Sequence, residues 1–220
     1  SSLFLVGFAF YGGHLNADTN QAVNVLSTAP LMVNTRYDQA VELLAKQVSG
    51  FNYVALGEQS HGAATVFSFK RDVVKQLHQQ YGFDVLALES GLFDVDWLYR
   101  QFLTHGESIK ENAPRNIFYM YANSAEMKPL FEYIEASHKT KRPLKLVGFD
   151  SQHSGGVSVA YLVSELGKAL APFNSEFTQA QWQQLAVVIQ RVIELSSTKP
   201  ADPAAFFKQF DALINHVKHI

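Results

Sequence analysis

The sequence contains no cysteine among its 220 residues. This absence excludes disulfide bonds, thiolate metal sites and a cysteine nucleophile. It leaves the compartment open, because exported proteins need not contain disulfides. Any metal site would have to be built from His, Asp or Glu side chains.

An excess of charge of one sign is also missing. Lys and Arg number 18 and Asp and Glu number 20, which gives a formal net charge of −2. The longest basic cluster is the TKR segment at 140–142. Nucleic-acid-binding domains carry a basic patch or stripe, so no nucleic-acid partner is expected.

Long hydrophobic runs are absent as well. The apolar run from Leu3 to Tyr11 is too short to cross a bilayer, so no stable membrane insertion is expected. The run has the size of a signal-peptide h-region but lacks a basic n-region before it. Two interpretations remain: a remnant of an export signal with its linker over residues 1–30, or a buried N-terminal strand. The first predicts a periplasmic or secreted protein, and the second allows a cytoplasmic one.

The helical pattern at the other end runs to Ile220 without a closing Gly or Pro. Residues 31–220 are therefore expected to form an α/β domain that is truncated at its C-terminus. Such a fragment is expected to be inactive by itself and to expose apolar surface. Nothing in the sequence indicates its oligomeric state.

Hydrophobic residues make up 47% of the chain and aromatic residues 13%, which is ample for a core. Short continuous apolar runs, typical of strands buried on both faces, occur at 53–56 and 85–88, and the segment LKLVGF (144–149) is predicted to be a third strand. Helical spacing of apolar residues predicts helices over 37–48, 66–81, 92–103, 124–139, 157–170, 178–196 and 203–219. The alternation predicts an α/β fold, a parallel sheet covered by helices with a helical C-terminal portion.

Each predicted strand is followed by a carboxylate. These residues are Glu58, Glu89 and Asp150. Ligands of parallel α/β sheets bind outside the carboxyl ends of the strands, where such residues would lie. If the first two predicted strands are neighbours, Glu58 and Glu89 should share one crevice. The alternative for each acidic residue is a helix cap.

His61 follows Glu58 by three residues and lies between Gly57 and Gly62. A neutral imidazole held by a carboxylate can take a proton from water near neutral pH, so Glu58 and His61 form a candidate general base pair. A packing or capping role for His61 is the alternative. The glycines allow a tight turn and a close approach of substrate to the backbone.

Other catalytic patterns are missing. Ser60 has no G-x-S-x-G context, and no Walker, dinucleotide-binding or H-E-x-x-H pattern occurs. A histidine and two glutamates from separate loops could still hold a divalent metal. Lys70, judged only by its helix, is predicted to be a solvated surface lysine.

Four separated segments, taken together, resemble the erythromycin esterase family, whose members hydrolyse the lactone ester of macrolides or have unassigned substrates. The segments are GEQSHG (57–62), FSFKRDVV around Lys70, YGFDVLALESG (81–91) and LKLVGFDSQ (144–152). The resemblance covers about residues 35–165. It implies a carboxylic ester hydrolase that needs no cofactor, takes a small-molecule ester and would confer macrolide resistance.

The resemblance also implies roles. His61 is the base that activates water, and Glu58 and Glu89 orient it and complete the catalytic group. The resemblance places Lys70 in the site and not on the surface, with the role of stabilising negative charge near the carbonyl oxygen. Gln59 and Asp150 are expected to contact substrate.

Two features depart from the family pattern. Family members are longer, and their C-terminal half contributes a second histidine. The family also has an aromatic–Arg stretch before the helix that corresponds to the fourth predicted helix. The matching segment here is YMYAN (119–123), which lacks the Arg. The alternative interpretation is a non-catalytic protein of the same superfamily that holds a metal or haem with the same carboxylates and His61.

Overall fold

The structure is a computed structural model that describes residues 2–6, 36–57, 63–153, 155–173, 176–195 and 202–218. Four strands are β1 (Ser2–Val6), β2 (Tyr53–Leu56), β3 (Phe83–Gly91) and β4 (Lys145–Asp150). The described helices are α1 (Tyr37–Val48), α2 (Ala64–Tyr81), α3 (Leu92–His105), α4 (Ile109–Asn116), α5 (Tyr119–Ala122), α6 (Lys128–Ser137), α7 (Gly156–Leu170), α8 (Glu176–Leu195) and α9 (Pro203–Lys218), with a short 3₁₀ turn at Ala171–Phe173. The α/β class and the helical C-terminal portion are confirmed.

The four strands form one sheet in the order β2-β1-β3-β4, and β1 runs parallel to both β2 and β3. The prediction that the strands at 53–56 and 85–88 are neighbours is wrong, because β1 lies between them. Residues 2–6 thus form the N-terminal strand that one of the two interpretations expected. The rest of the apolar run, from Gly7 to Tyr11, lies outside the described residues.

The chain divides into two compact units. The first contains Ser1–Glu89 and Ser124–Leu146. In this unit α1 packs on α2, and the ring of Tyr37 meets that of Phe69 edge-on at 5.9 Å. The helix α2 ends at Gly82, whose φ of 82° lies in the left-handed region and favours glycine. Fully buried side chains of this core include Ala45, Val73, Val74, Leu77, Phe83, Leu86, Phe131 and Ile134.

The second unit contains Ser90–Asn123 and Val147–Ile220. Here α3 packs on α4 and α7, α7 packs on α8, and α8 packs on α9. Its core includes Val95, Leu98, Ile109, Ala113, Ile117 and Leu185. Within the described ranges, no helix combines the length and the hydropathy that a bilayer crossing requires.

The segment between the predicted helices 92–103 and 124–139 holds α4 and α5, which the sequence reasoning missed. Pro114 inside α4 concealed the helix, although Ser108 and Glu111 form its start signal: the Ser108 hydroxyl accepts a hydrogen bond from the Glu111 N–H at 3.2 Å. The predicted helix 124–139 is shorter in the structure and begins at Lys128. Pro129 lies in its first turn, where no N–H is needed.

Candidate active site

The carboxyl edge of the sheet in the first unit is set by the strand register. Leu56 and Leu88 both pair with Val6 of the strand between them. Gly57 and Glu89 therefore lie level with each other, two strand spacings or about 10 Å apart. The intervening strand leaves these two positions on the same edge of the sheet.

The strand order also locates the edge at which a ligand is expected. The chain adds β2 on one side of β1 and continues through β3 and β4 on the other side. Such a reversal of direction creates a crevice outside the carboxyl ends of the two central strands. Glu89 lies at this end of β3 and is half-buried. The sequence reasoning had placed Glu89 after the strand. In the structure β3 extends to Gly91, so Glu89 is part of the strand.

Lys70 lies on α2 and is only 5% exposed. The surface interpretation drawn from the helix alone is therefore wrong. The spacing explains its burial, because Lys70 precedes Val73 by three residues and Val74 by four, and both of these are fully buried. Burying an ammonium group has a substantial desolvation cost, and such groups concentrate at functional sites.

The helix turn after Lys70 is fixed by a polar network within the first unit. Arg71 forms two hydrogen bonds with Asp72, at 2.7 and 2.8 Å, and a third with the carbonyl of Glu126 at 3.1 Å. The Tyr37 hydroxyl donates to Asp72 at 2.8 Å. These bonds connect α1, α2 and the turn before α6, so they hold the helix that carries Lys70.

The same network raises the pKa of Tyr37 and lowers that of Asp72. Burial raises the pKa of Tyr37 to about 12, and its hydrogen bond to Asp72 adds to the effect. Burial by itself would raise the pKa of Asp72, but hydrogen bonds from Arg71 and Tyr37 outweigh it and lower that pKa. Asp72 is therefore ionised and structural near neutral pH.

Glu58, Gln59 and His61 lie outside the described residues, so their predicted roles stay predictions. Asp150 is the last residue of β4 and belongs to the second unit, where its carboxylate accepts a hydrogen bond from the Gln152 N–H at 3.0 Å. This bond closes a local turn. The predicted contact of Asp150 with substrate remains a prediction.

Two buried polar groups in the second unit were missed by the sequence reasoning. The Ser90 hydroxyl accepts a hydrogen bond from the Phe118 N–H at 2.9 Å. The Asp94 carboxylate accepts one from the Ser158 N–H at 2.7 Å and so caps the N-terminus of α7. Both bonds join residues 28 or more positions apart, and no local sequence pattern signals them. Across the residues that the structure describes, no group of three His, Asp or Glu side chains could hold a metal ion.

Comparisons with known proteins give a partial match. No family model matches the chain. A stretch of 123 residues is 32% identical to "Putative hydrolase YbfO" of Bacillus subtilis (strain 168), and it covers 56% of this chain and 27% of that protein. A crystal structure of a Bacillus cereus protein covers 79% of this chain and 43% of its own, with 25% identity and a TM-score of 0.48. The chain thus spans roughly a quarter of the length of YbfO.

Proposed function

We propose that this chain is the catalytic part of a hydrolase, and that its reaction is the hydrolysis of a carboxylic ester. The observation that carries the proposal is the burial of Lys70 on the helix that follows the segment GEQSHG (57–62). The similarity to YbfO supports hydrolysis in general. The resemblance to erythromycin esterases supports an ester, and in particular a macrolide lactone, as the substrate.

In the proposed reaction His61 takes a proton from water as the water oxygen attacks the ester carbonyl. Glu58 and Glu89 orient the imidazole and the water. The negative charge that develops on the carbonyl oxygen is stabilised by the Lys70 ammonium group. When the C–O bond breaks, the proton passes to the leaving alkoxide, and the products are a carboxylic acid and an alcohol.

The geometry of the first unit supports this assignment. Glu58 follows Gly57 directly in the chain, and Gly57 is level with Glu89 at the carboxyl edge. A buried lysine on α2 would meet developing negative charge in a medium of low polarity, where the attraction is stronger than in water.

The test is ester hydrolysis by the complete reading frame that carries these 220 residues, with p-nitrophenyl acetate and a macrolide as substrates. We expect His61→Asn to lower kcat/KM by about 10²–10⁴-fold, with unchanged folding by circular dichroism. His105→Asn is the matched control, because His105 is an exposed histidine at the end of α3. An unchanged kcat/KM in His61→Asn would contradict the base role.

A second measurement tests the alternative that the protein binds a metal or haem and has no catalytic activity. A wild-type protein that hydrolyses neither ester and retains a divalent metal or haem after purification would contradict the proposal. Hydrolysis that survives exhaustive chelation supports a base-catalysed reaction on the protein's own side chains.

A further inference from the structure

The end of β3 is held by a side chain that the proposed reaction does not use. Ser90 is fully buried, and its hydroxyl accepts a hydrogen bond from the Phe118 N–H at 2.9 Å. Phe118 directly precedes α5, so this bond ties the strand to the turn between α4 and α5. The bond joins positions 28 residues apart and lies wholly within the second unit.

The backbone at Ser90 is also held by the neighbouring strand β4. A Cβ atom at Gly148 would lie 2.6 Å from the Ser90 carbonyl oxygen and 2.7 Å from that of Gly91, so the two backbones approach each other closely. The described pairing of β3 with β1 ends at Leu88, opposite Val6. Past Leu88, the Ser90 hydroxyl and the backbone of β4 are therefore two of the contacts that fix the path of the strand.

Glu89 is the residue between these fixed points. It follows Leu88 and is joined to Ser90 by a peptide bond within the same strand. Successive side chains of a strand point to opposite faces, so the Ser90 hydroxyl is bound on one face of β3 while the Glu89 side chain leaves from the other. Anchoring Ser90 therefore restricts the direction in which the Glu89 carboxylate points.

We propose that Ser90 is a positioning residue for ester hydrolysis, because it holds the Glu89 carboxylate at the angle that orients the water and the His61 imidazole. The proposal rests on the proposed function, in which Glu89 acts on both of these groups. Ser90 is fully buried, so it acts through Glu89 and not on the substrate. A catalytic group that is misplaced by about 1 Å can lose about 10²-fold in rate, so a small shift of the strand end is sufficient.

The experiment is a double-variant cycle of Ser90→Ala and Glu89→Gln in the complete reading frame, with p-nitrophenyl acetate as substrate. Alanine removes the hydroxyl that accepts from the Phe118 N–H. We expect Ser90→Ala to lower kcat by about 10–10²-fold with an unchanged KM, because the orientation of Glu89 matters in the transition state and not for binding. In the Glu89→Gln background Ser90→Ala should change kcat by less than about twofold, since the carboxylate that it positions is already gone.

Ser137→Ala is the matched control, because Ser137 forms the same kind of bond in the first unit. Ser137 is 5% exposed, and its hydroxyl accepts a hydrogen bond from the Leu144 N–H at 2.9 Å. Leu144 precedes β4, so this bond lies at the amino end of a strand and not at the carboxyl end. We expect Ser137→Ala to lose stability in urea unfolding, as Ser90→Ala does, and to keep the wild-type kcat.

A second variant keeps the test decisive if Ser90→Ala does not fold. Ser90→Cys replaces the hydroxyl by a thiol, which is a weaker acceptor. Its loss of kcat should likewise disappear in the Glu89→Gln background.

Three results would overturn the role of Ser90 and leave the hydrolase proposal untouched. They are a wild-type kcat in folded Ser90→Ala, the same fold loss of kcat with and without the Glu89 carboxylate, and an equal loss of kcat in Ser137→Ala. In all three the wild-type protein still hydrolyses the ester and still depends on His61. A wild-type protein without hydrolysis, or full activity in His61→Asn, would instead overturn the proposed function and the role of Ser90 with it.

Discussion

At the scale of single residues, Lys70 is the side chain whose position carries most of the functional argument. Lys70 precedes the fully buried Val73 and Val74 by three and four residues, and in the structure it lies with them on the buried face of α2. The residue type argued for the surface, because lysines are rarely buried. The helical spacing from the two valines is thus compatible with burial, although the residue type favours the surface. Only the resemblance to a family predicted a lysine in the site.

The first residue-scale prediction concerns Lys70→Met, which keeps the length of the side chain and removes its charge. We expect kcat/KM for ester hydrolysis to fall by less than in His61→Asn, because the lysine stabilises charge and does not move the proton. We expect the variant to stay folded, because methionine fills the volume of the lysine stem. Differential scanning fluorimetry and steady-state kinetics on one preparation test both.

A melting temperature that falls by many degrees together with full specific activity would identify Lys70 as a structural residue. The matched control is Lys46→Met, on the exposed side of α1. It should change neither quantity.

His78 is a second buried polar residue on α2, and its ring is held from two sides. Its Nδ1 lies 2.5 Å from the Tyr133 hydroxyl, and its Nε2 lies 3.1 Å from the carbonyl of Arg142. A carbonyl can only accept, so Nε2 carries the proton and Nδ1 accepts from Tyr133 in the neutral ring. The Arg142 guanidinium in turn donates to the His78 carbonyl at 2.7 Å.

This arrangement predicts a pH-dependent stability. Burial lowers the pKa of His78 and the nearby Arg142 charge lowers it further, while the bond to the Arg142 carbonyl and the charge of Asp84 oppose them. The unfolded chain therefore binds the proton more readily than the folded one. The stabilisation is fully present above the unfolded pKa of about 6.5, and it is lost as pH falls from there through the lower folded value.

Urea unfolding between pH 5 and 8 checks this prediction. His78→Asn should reduce the dependence over that range without abolishing it, because burial also lowers the pKa of His138, and His153→Asn, which alters an exposed loop histidine, should leave it unchanged. An equally steep loss of stability in His78→Asn would show that another group titrates.

At the scale of elements, the positions of β2, β3 and β4 could be predicted, because each is a short apolar run with a turn at its end. Their order in the sheet could not. The strand β1 consists of residues whose apolar run also suits a signal peptide, and strand order depends on pairing between distant segments. The correct register, with Leu56 and Leu88 both opposite Val6, still brings the two predicted strand ends level.

The close contact of β4 with β3 in the second unit gives an element-scale prediction. A Cβ atom at Gly148 would lie 2.6 Å from the Ser90 carbonyl oxygen and 2.7 Å from that of Gly91. Gly148→Ala must therefore push backbone against backbone, and we expect a loss of about 1–3 kcal/mol in the free energy of unfolding. Chemical denaturation measures it.

The control for this change is Gly156→Ala, at the first residue of α7. A Cβ atom there meets nothing within 4 Å, and alanine favours a helix over glycine by up to about 1 kcal/mol. We expect Gly156→Ala to be neutral or stabilising. Equal destabilisation by both changes would contradict the close packing at Gly148.

At the scale of the whole molecule, the sequence predicted the α/β class and most helices, because periodicity and apolar runs are local signals. It did not predict the division into two units, since this depends on which helices pack together. Of the candidate site, Glu89 lies at the expected edge of the sheet and Lys70 is buried. The proposed base, His61, rests on the motif alone, because its segment lies outside the described residues.

The central claim is that His61, Lys70 and Glu89 act together on an ester. The most direct measurement is kcat/KM for p-nitrophenyl acetate and a macrolide in His61→Asn, Glu89→Gln and the double variant, all in the complete reading frame. Residues that act as one catalytic unit are strongly non-additive. We predict that the double variant loses no more than about tenfold beyond His61→Asn alone. Multiplicative losses in the double variant, or full activity in His61→Asn, would contradict a shared catalytic site.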